Sequence, residues 1–154
     1  MSRIRGRGNK DTELALAKLL RANGIIGWRR QIEVRIAERG TRSSSRGNEA
    51  QTENRKLTRA SSRRRLRAKV DFAFPKLRLA IFVDGCFWHA CPIHATKPKH
   101  NAAFWREKLA GNRRRDALVT RTLRRAGWRV LRVWEHELAR KHEARLLRRI
   151  QKQI

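Results

Sequence analysis

VDFAFPKLRLAIFVDGCFWHACPIH, residues 70–94, is the stretch on which the fold turns. Val70, Phe72 and Phe74 alternate with Asp71 and Ala73, the period of two expected of a strand with one buried face. Pro75-Lys76 reads as a turn. Leu77 to Val83, LRLAIFV, is nearly continuous in apolar residues, which predicts a central strand covered on both faces. Gly85 ends that strand. A loop carrying Cys, His and Pro then runs from Cys86 to about His100. The segment therefore predicts two neighbouring strands whose far end opens into a loop full of ligating side chains.

Toward the N-terminus, residues 11–23 predict a helix. Leu16, Leu19 and Leu20 repeat at helical spacing, Asp11 or Thr12 can cap it, and Gly24 can stop it. Trp28–Ile36 predicts a strand. Residues 37–69 are rich in Ser, Arg, Asn and Gly with almost no large apolar side chain, so they read as a mobile cationic insertion. Its bland role is a solvated loop; its functional one is an added contact to phosphates. Toward the C-terminus, residues 102–126 predict a long helix between Asn101 as cap and Gly127 as stop. WRVLRVW, residues 128–134, predicts another strand. Residues 137–151 predict a basic helix with Leu138, Leu146, Leu147 and Ile150 on its apolar side. The order α, β, β, β, loop, α, β, α predicts a mixed α/β sandwich, and 154 residues suit one domain, here 1–154.

Lys and Arg number 40 against 13 Asp and Glu, a formal charge of +27. Such a chain attracts polyanions, and release of counterions from neutralised phosphates makes nucleic acid its default partner. A ribosomal-type basic tail or a membrane-surface binder would share the charge. However, a hydrophobic fraction of 40%, with five Trp and five Phe in periodic segments, argues for a packed core. No apolar run of 18 residues exists, so no membrane span is expected. The start, MSRIRGRGNK, is charged but lacks the apolar segment of a signal peptide. A cytoplasmic protein is expected, in which two Cys suggest a metal or reactive thiols before a disulfide.

Cys86, Cys91 and His94 form C-x4-C-x2-H, three zinc-type ligands in one loop. Structural Zn²⁺ takes four N or S ligands, and His136, just beyond the WRVLRVW strand, is the best fourth. Buried thiols beside surface histidines remain the alternative. Asp71 lies in an apolar strand, where a carboxylate is costly without a cation or a donor. It is either a Mg²⁺ ligand beside a scissile phosphate or a solvent-facing strand residue. Asp84 and His89 follow the next strand and approach Asp71 if the two strands pair. His89 is a candidate general base, with a zinc ligand or surface His as alternatives. Phe87, Trp88 and Trp105 do not follow a core period. They suit stacking on bases or packing over the zinc loop.

In combination these residues resemble the very short patch repair (Vsr) endonucleases. The matching pieces are MSRIRGRGNKDTELALAKLL, VDFAFPKLRLAIFVDGCFWHACPIH, FWREKLAGNRRRDA and GWRVLRVWEHEL, most of the chain outside 37–69. The resemblance implies a restriction-endonuclease-like three-layer sandwich with a structural zinc. It implies Mg²⁺-dependent hydrolysis of the phosphodiester 5′ to the thymine of a T:G mismatch, the product of 5-methylcytosine deamination. By motif, Asp71 and the Val83 backbone carbonyl would hold Mg²⁺, His89 would act as base, and Glu13 would orient water. Cys86, Cys91, His94 and His136 would hold zinc. Phe87, Trp88 and Trp105 would wedge into DNA, with Met1 entering from the other groove. His94 is displaced by one residue relative to some members, and His136 replaces a Cys. Val70 stands where Pro is usual before the metal Asp. Val83-Asp84 stands where Thr-His is frequent, which puts Asp84 in the site. The implied partners are mismatched double-stranded DNA, mismatch-repair proteins and a DNA cytosine methyltransferase system. A monomer used at the nucleoid is expected. A zinc-braced DNA binder without catalysis and a restriction-type nuclease are the other readings.

Overall fold

The apolar run becomes the centre of a four-stranded sheet. The computed structural model describes residues 10–36, 66–94, 98 and 100–154; Met1 and residues 37–65 of the expected insertion lie outside them. In chain order the elements are α1 (Lys10–Ala22), β1 (Arg29–Ile36), β2 (Leu66–Phe74), β3 (Leu79–Asp84), α2 (Ala102–Arg125), β4 (Arg129–Trp134) and α3 (Glu143–Gln151). The sheet order is β1-β2-β3-β4. β1 and β2 run antiparallel, as do β2 and β3, and β4 lies parallel to β3 with α2 as the crossover. Helices cover both faces, the expected α/β sandwich. No helix among the described residues is long and apolar enough to cross a membrane.

β3 separates two cores. Leu79 and Ile81 join α1 and α3 through Leu16, Leu20, Leu146 and Ile150. Ala80 and Phe82 face Leu123 and Val119 of α2. Burial on both faces explains why this strand reads as a continuous apolar run. Leu77 and Arg78 are outside it, contrary to the sequence reading. Pro75–Leu77 forms a 3-10 turn and Arg78 is left-handed at φ +48°, which reverses the chain between β2 and β3.

Several local expectations need correction. Leu66–Lys69, assigned to the insertion, are already strand, paired with β1 from Glu33↔Lys69 to Ile36↔Leu66. Their composition hides this, because a strand lying beyond β3 has one wet face and can carry Arg67 and Lys69. Asp11 and Thr12 are inside α1, which starts at Lys10. Asn101 precedes α2 but caps it with no side-chain bond; its carbonyl accepts from Trp105 N–H at 3.1 Å. The basic C-terminal helix starts at Glu143, after 3-10 turns over Glu135–Leu138 and Arg140–His142. There the Glu137 carboxylate folds back onto Trp134 N–H at 2.8 Å and is gripped by Arg149 at 2.6 and 3.0 Å. Both glycine stops hold. Gly24 and Gly127 have φ +66° and +81°, and each lets two N–H groups reach back to carbonyls of the final helical turn.

The alternation read across β2 does not hold past its middle. Phe72 and Phe74 pack on the α1–α3 side, whereas Val70 and Ala68 pack on the α2 side. β1 changes face in step, from Trp28 to Ile32 and Val34. The register stays constant through the change, with Arg30↔Phe72 on one side and Ile32↔Val70 on the other. No residue is inserted; both strands roll over together at Gln31 and Asp71. Beyond Phe72↔Ile81, β2 and β3 part. The outer half of β2 keeps only β1, and Phe82–Asp84 keep only β4. The sheet thus forks beside Asp71.

Candidate functional site

Asp71 fills the fork. Its Oδ2 accepts the Val83 N–H at 2.9 Å, a side-chain bond where the strand ladder has ended. Burial pushes its carboxyl up to about 6, against the lowering effect of the Val83 bond, and the nearby Glu13 and Asp84 carboxylates push the same way. A carboxylate so placed is relieved by a cation. The N–H and C=O of a strand residue point to the same side, so the Val83 carbonyl also opens toward the fork. The two Mg²⁺-type donors implied by the resemblance therefore lie next to each other.

Glu13 reaches the site from the first turn of α1. It is 6% exposed, and its Oε2 accepts from Gln31 Nε2 at 2.6 Å and Arg30 at 3.0 Å. Arg30 also lies over the Phe72 ring, 5.8 Å from its centroid.

His89 stands on the other prong. Its Nδ1 bonds Asp116 of α2 at 2.5 Å and lies 3.7 Å from Asp84. This leaves Nε2 as the nitrogen for proton exchange. Burial pushes the Asp116 carboxyl up, but the His89 bond and the Arg132 charge together outweigh it and hold the group below the ordinary carboxylate range. Arg132 of β4 grips both oxygens of Asp84 at 2.6 Å and touches Asp116 at 3.2 Å. Burial alone would lower the Arg132 pKa; the Asp84 bonds and charge reverse that and raise it. Asp84, expected as a catalytic or metal-binding carboxylate, has both oxygens committed to this arginine.

Asp116 and Arg132 were missed in the sequence. Asp116 is the one acid in NRRRDALVTR, a faint signal, and its closeness to His89 is a tertiary fact. Arg132 interrupts the apolar pattern of WRVLRVW, and that interruption was the available clue. An open depression of about 640 Å³ is lined by Asp116, Ala117, Thr120, Arg121, Arg124, Arg125 and Arg132, so its charge is mostly basic, with Asp116 already paired to Arg132 and His89.

The loop after β3 gathers the expected ligands. Cys86 Sγ lies 3.3 Å from His136 Nδ1, and Cys91 Sγ lies 3.7 Å from His136 Nδ1 and 3.9 Å from His94 Nδ1. All four ligand atoms fall within 4.8 Å of one another. Zn–S bonds of about 2.3 Å and Zn–N bonds of about 2.0–2.1 Å give a tetrahedron with edges of about 3.3–3.8 Å, so this set can hold such an ion. Burial pushes the Cys86 thiol up, and burial with the neighbouring His94 pushes the His136 imidazole down. A bound cation is what would hold the thiol as thiolate there.

Phe87, Trp88 and Trp105 meet as one group, with centroids 5.2–6.0 Å apart, and Phe104 joins at 5.4 Å from Trp105. Phe104 was not singled out in the sequence, yet it is 59% exposed. Asn112 ties the Trp88 carbonyl to α2 at 3.0 Å. The group packs within itself beside the zinc-type ligands and still presents aromatic surface to solvent, so the two readings of these residues are compatible.

Known proteins match part of this chain. The family described as DNA mismatch endonuclease Vsr matches residues 29–94. The chain is 50% identical over 72 residues to the Type II nicking enzyme V.NaeI of Lentzea aerocolonigenes, covering 47% of this chain and 43% of that protein. It is 43% identical over 74 residues to the Type II nicking enzyme V.NmeDIP of Neisseria meningitidis serogroup C, covering 47% and 50%. It is 41% identical over 71 residues to the DNA mismatch endonuclease Vsr of Escherichia coli strain K12, covering 46% of each. The chain thus spans about half the length of the curated relatives it matches.

Proposed function

We propose that this chain, whose residues 29–94 match the family described as DNA mismatch endonuclease Vsr, is a DNA endonuclease that nicks one strand of a duplex 5′ to the thymine of a T:G mismatch. The observation that carries the reading is the fork, where Asp71, with Glu13 beside it, faces Val83 across the gap, and His89, backed by Asp116, follows the Val83 prong. Proteins with the family's printed names nick DNA or act at mismatches, and the +27 charge suits a duplex substrate.

Each residue then has a physical task. Asp71 and the Val83 carbonyl offer the oxygen donors that Mg²⁺ prefers, and the ion, when bound, neutralises charge on the phosphate undergoing displacement. His89 Nε2 exchanges a proton with the attacking water, and Asp116 holds the ring in the tautomer with its proton on Nδ1. Glu13 orders water at the same prong. Cys86, Cys91, His94 and His136 hold a structural Zn²⁺ that braces the loop carrying His89. Phe87, Trp88 and Trp105, with Phe104 beside them, supply the wedge that enters the base stack. Arg121, Arg124 and Arg125 hold the backbone. Residues 1–154 act as one domain and as a monomer on the duplex.

The test is nicking of a panel of duplexes, T:G, other mismatches and fully paired, with and without Mg²⁺ at stated salt. Selective, Mg²⁺-dependent cleavage of the T:G strand is expected. Equal cleavage of paired DNA would point to a restriction-type nuclease. Tight binding with no cleavage at any Mg²⁺ concentration would leave a zinc-braced DNA binder.

A further inference from the structure

Four non-glycine residues among those described have a left-handed backbone: Gln31, Arg78, Ala90 and Asn101. Arg78 closes the β2–β3 turn, Ala90 lies in the Cys/His loop, and Asn101 precedes α2. Gln31 alone lies inside a strand, at φ +53°. A side chain with Cβ pays a steric cost in that region, and such strain persists only where the surroundings hold it. Glycine would take the conformation without that cost, and Asn with less of it. The roll of β1 from one face to the other would be served by either.

What distinguishes Gln31 is reach. Its Nε2 donates to Glu13 Oε2 at 2.6 Å, while the residue as a whole is exposed and no core packing demands a glutamine. The register sets it level with Asp71, between the rungs Arg30↔Phe72 and Ile32↔Val70. Its neighbour Arg30 donates to the same Glu13 oxygen. We propose that Gln31 is a positioning residue: its left-handed backbone turns the amide from the sheet toward α1, and with Arg30 it holds the Glu13 carboxylate beside Asp71. This role rests on the nuclease reading above.

The role predicts opposite signs for stability and turnover. In the full chain, Gln31→Gly relieves the backbone and removes the amide. Single-turnover nicking of a T:G duplex should slow roughly 10- to 100-fold, the usual penalty for a misplaced group. Duplex affinity should not change, and Tm should equal or exceed that of the parent. Gln31→Asn tolerates the backbone but is one methylene short of Glu13, so it should slow nicking as Gln31→Gly does. If Gln31→Gly nicks as fast as the parent, or loses Tm along with rate, the positioning role is overturned while the nuclease reading stands. A parent chain that does not nick sinks both.

Discussion

Asp71 and Asp84 occupy the two prongs of one fork, yet their surroundings are opposite. Asp71 accepts one backbone N–H and feels two other carboxylates. Asp84 is 3% exposed, and its oxygens are both taken by Arg132, which extends to Asp116 and so to His89. Buried carboxylates are therefore not interchangeable candidates for a metal. Asp71 has no ion pair among the described residues and would gain from a cation, whereas Asp84 is already compensated by a bidentate arginine. Position in sequence does not separate them; the compensating charge does.

Breaking the Cys/His loop that ties the end of β3 to the end of β4 should have the largest effect. The chain is expected to carry one Zn²⁺, and Cys91→Ser or chelation should lower Tm by about 10 °C or more, since metal binding at such sites is folding free energy. A metal-stripped chain with an unchanged melt would remove zinc from the argument. The contrast itself is tested next. Asp71→Ala should slow nicking by roughly 10³-fold, as several kcal/mol of phosphate charge neutralisation would predict, while duplex binding persists. Equal rates for Asp71→Ala and the parent would show that the free carboxylate is not the catalytic one.

Arg132→Met sharpens the other side. It leaves Asp84 buried without its partner and should cost about 3–5 kcal/mol in denaturant unfolding. The double change Asp84→Leu with Arg132→Met should recover much of that loss. If the single change proves harmless, the pair is not the brace described. The smallest effect concerns pH without divalent metal. The folded Asp71 carboxyl is raised to about 6, above its ordinary value, so the folded state favours the protonated form. Its contribution to stability is present below about pH 4 and is lost as pH rises through about 6. Asp71 retains some solvent contact, so screening leaves a swing of about 1–2 kcal/mol. Asp71→Asn should remove that part of the slope and unfold later than the parent at pH 7.5 in metal-free buffer. A slope identical in both proteins would show that Asp71 is not the group responsible.

Where the signal is local, sequence and structure agree. Leu79–Val83 of the apolar run LRLAIFV form a strand covered on both sides, as its composition predicts, while Leu77 and Arg78 fall in the turn before it. The glycine stops followed from conformations that glycine adopts most cheaply. Cys86, Cys91 and His94 stand close enough in the chain to be grouped at sight, and His136 follows from its place at a strand end, since strand ends gather at one edge of a sheet. Sequence and structure part at Val70, because a period of two does not survive the point at which both strands roll over. They part again at Leu66–Lys69, whose basic composition masks a strand with one wet face. Asp116 and Arg132 carry only faint local marks, a lone acid in a basic helix and a charge inside an apolar strand, and nothing near Gln31 in sequence marks it. Each gains meaning only from a partner on another element.

By itself, then, the chain determined its elements, its polyanion-seeking charge and its set of metal-type ligands, because periodicity, net charge and short spacings are properties of neighbouring residues. Only the tertiary structure decided which aspartate stays uncompensated, which one Arg132 neutralises, and which acid backs His89. Burial and counter-charge set those outcomes, and both are made by contacts between segments far apart along the chain.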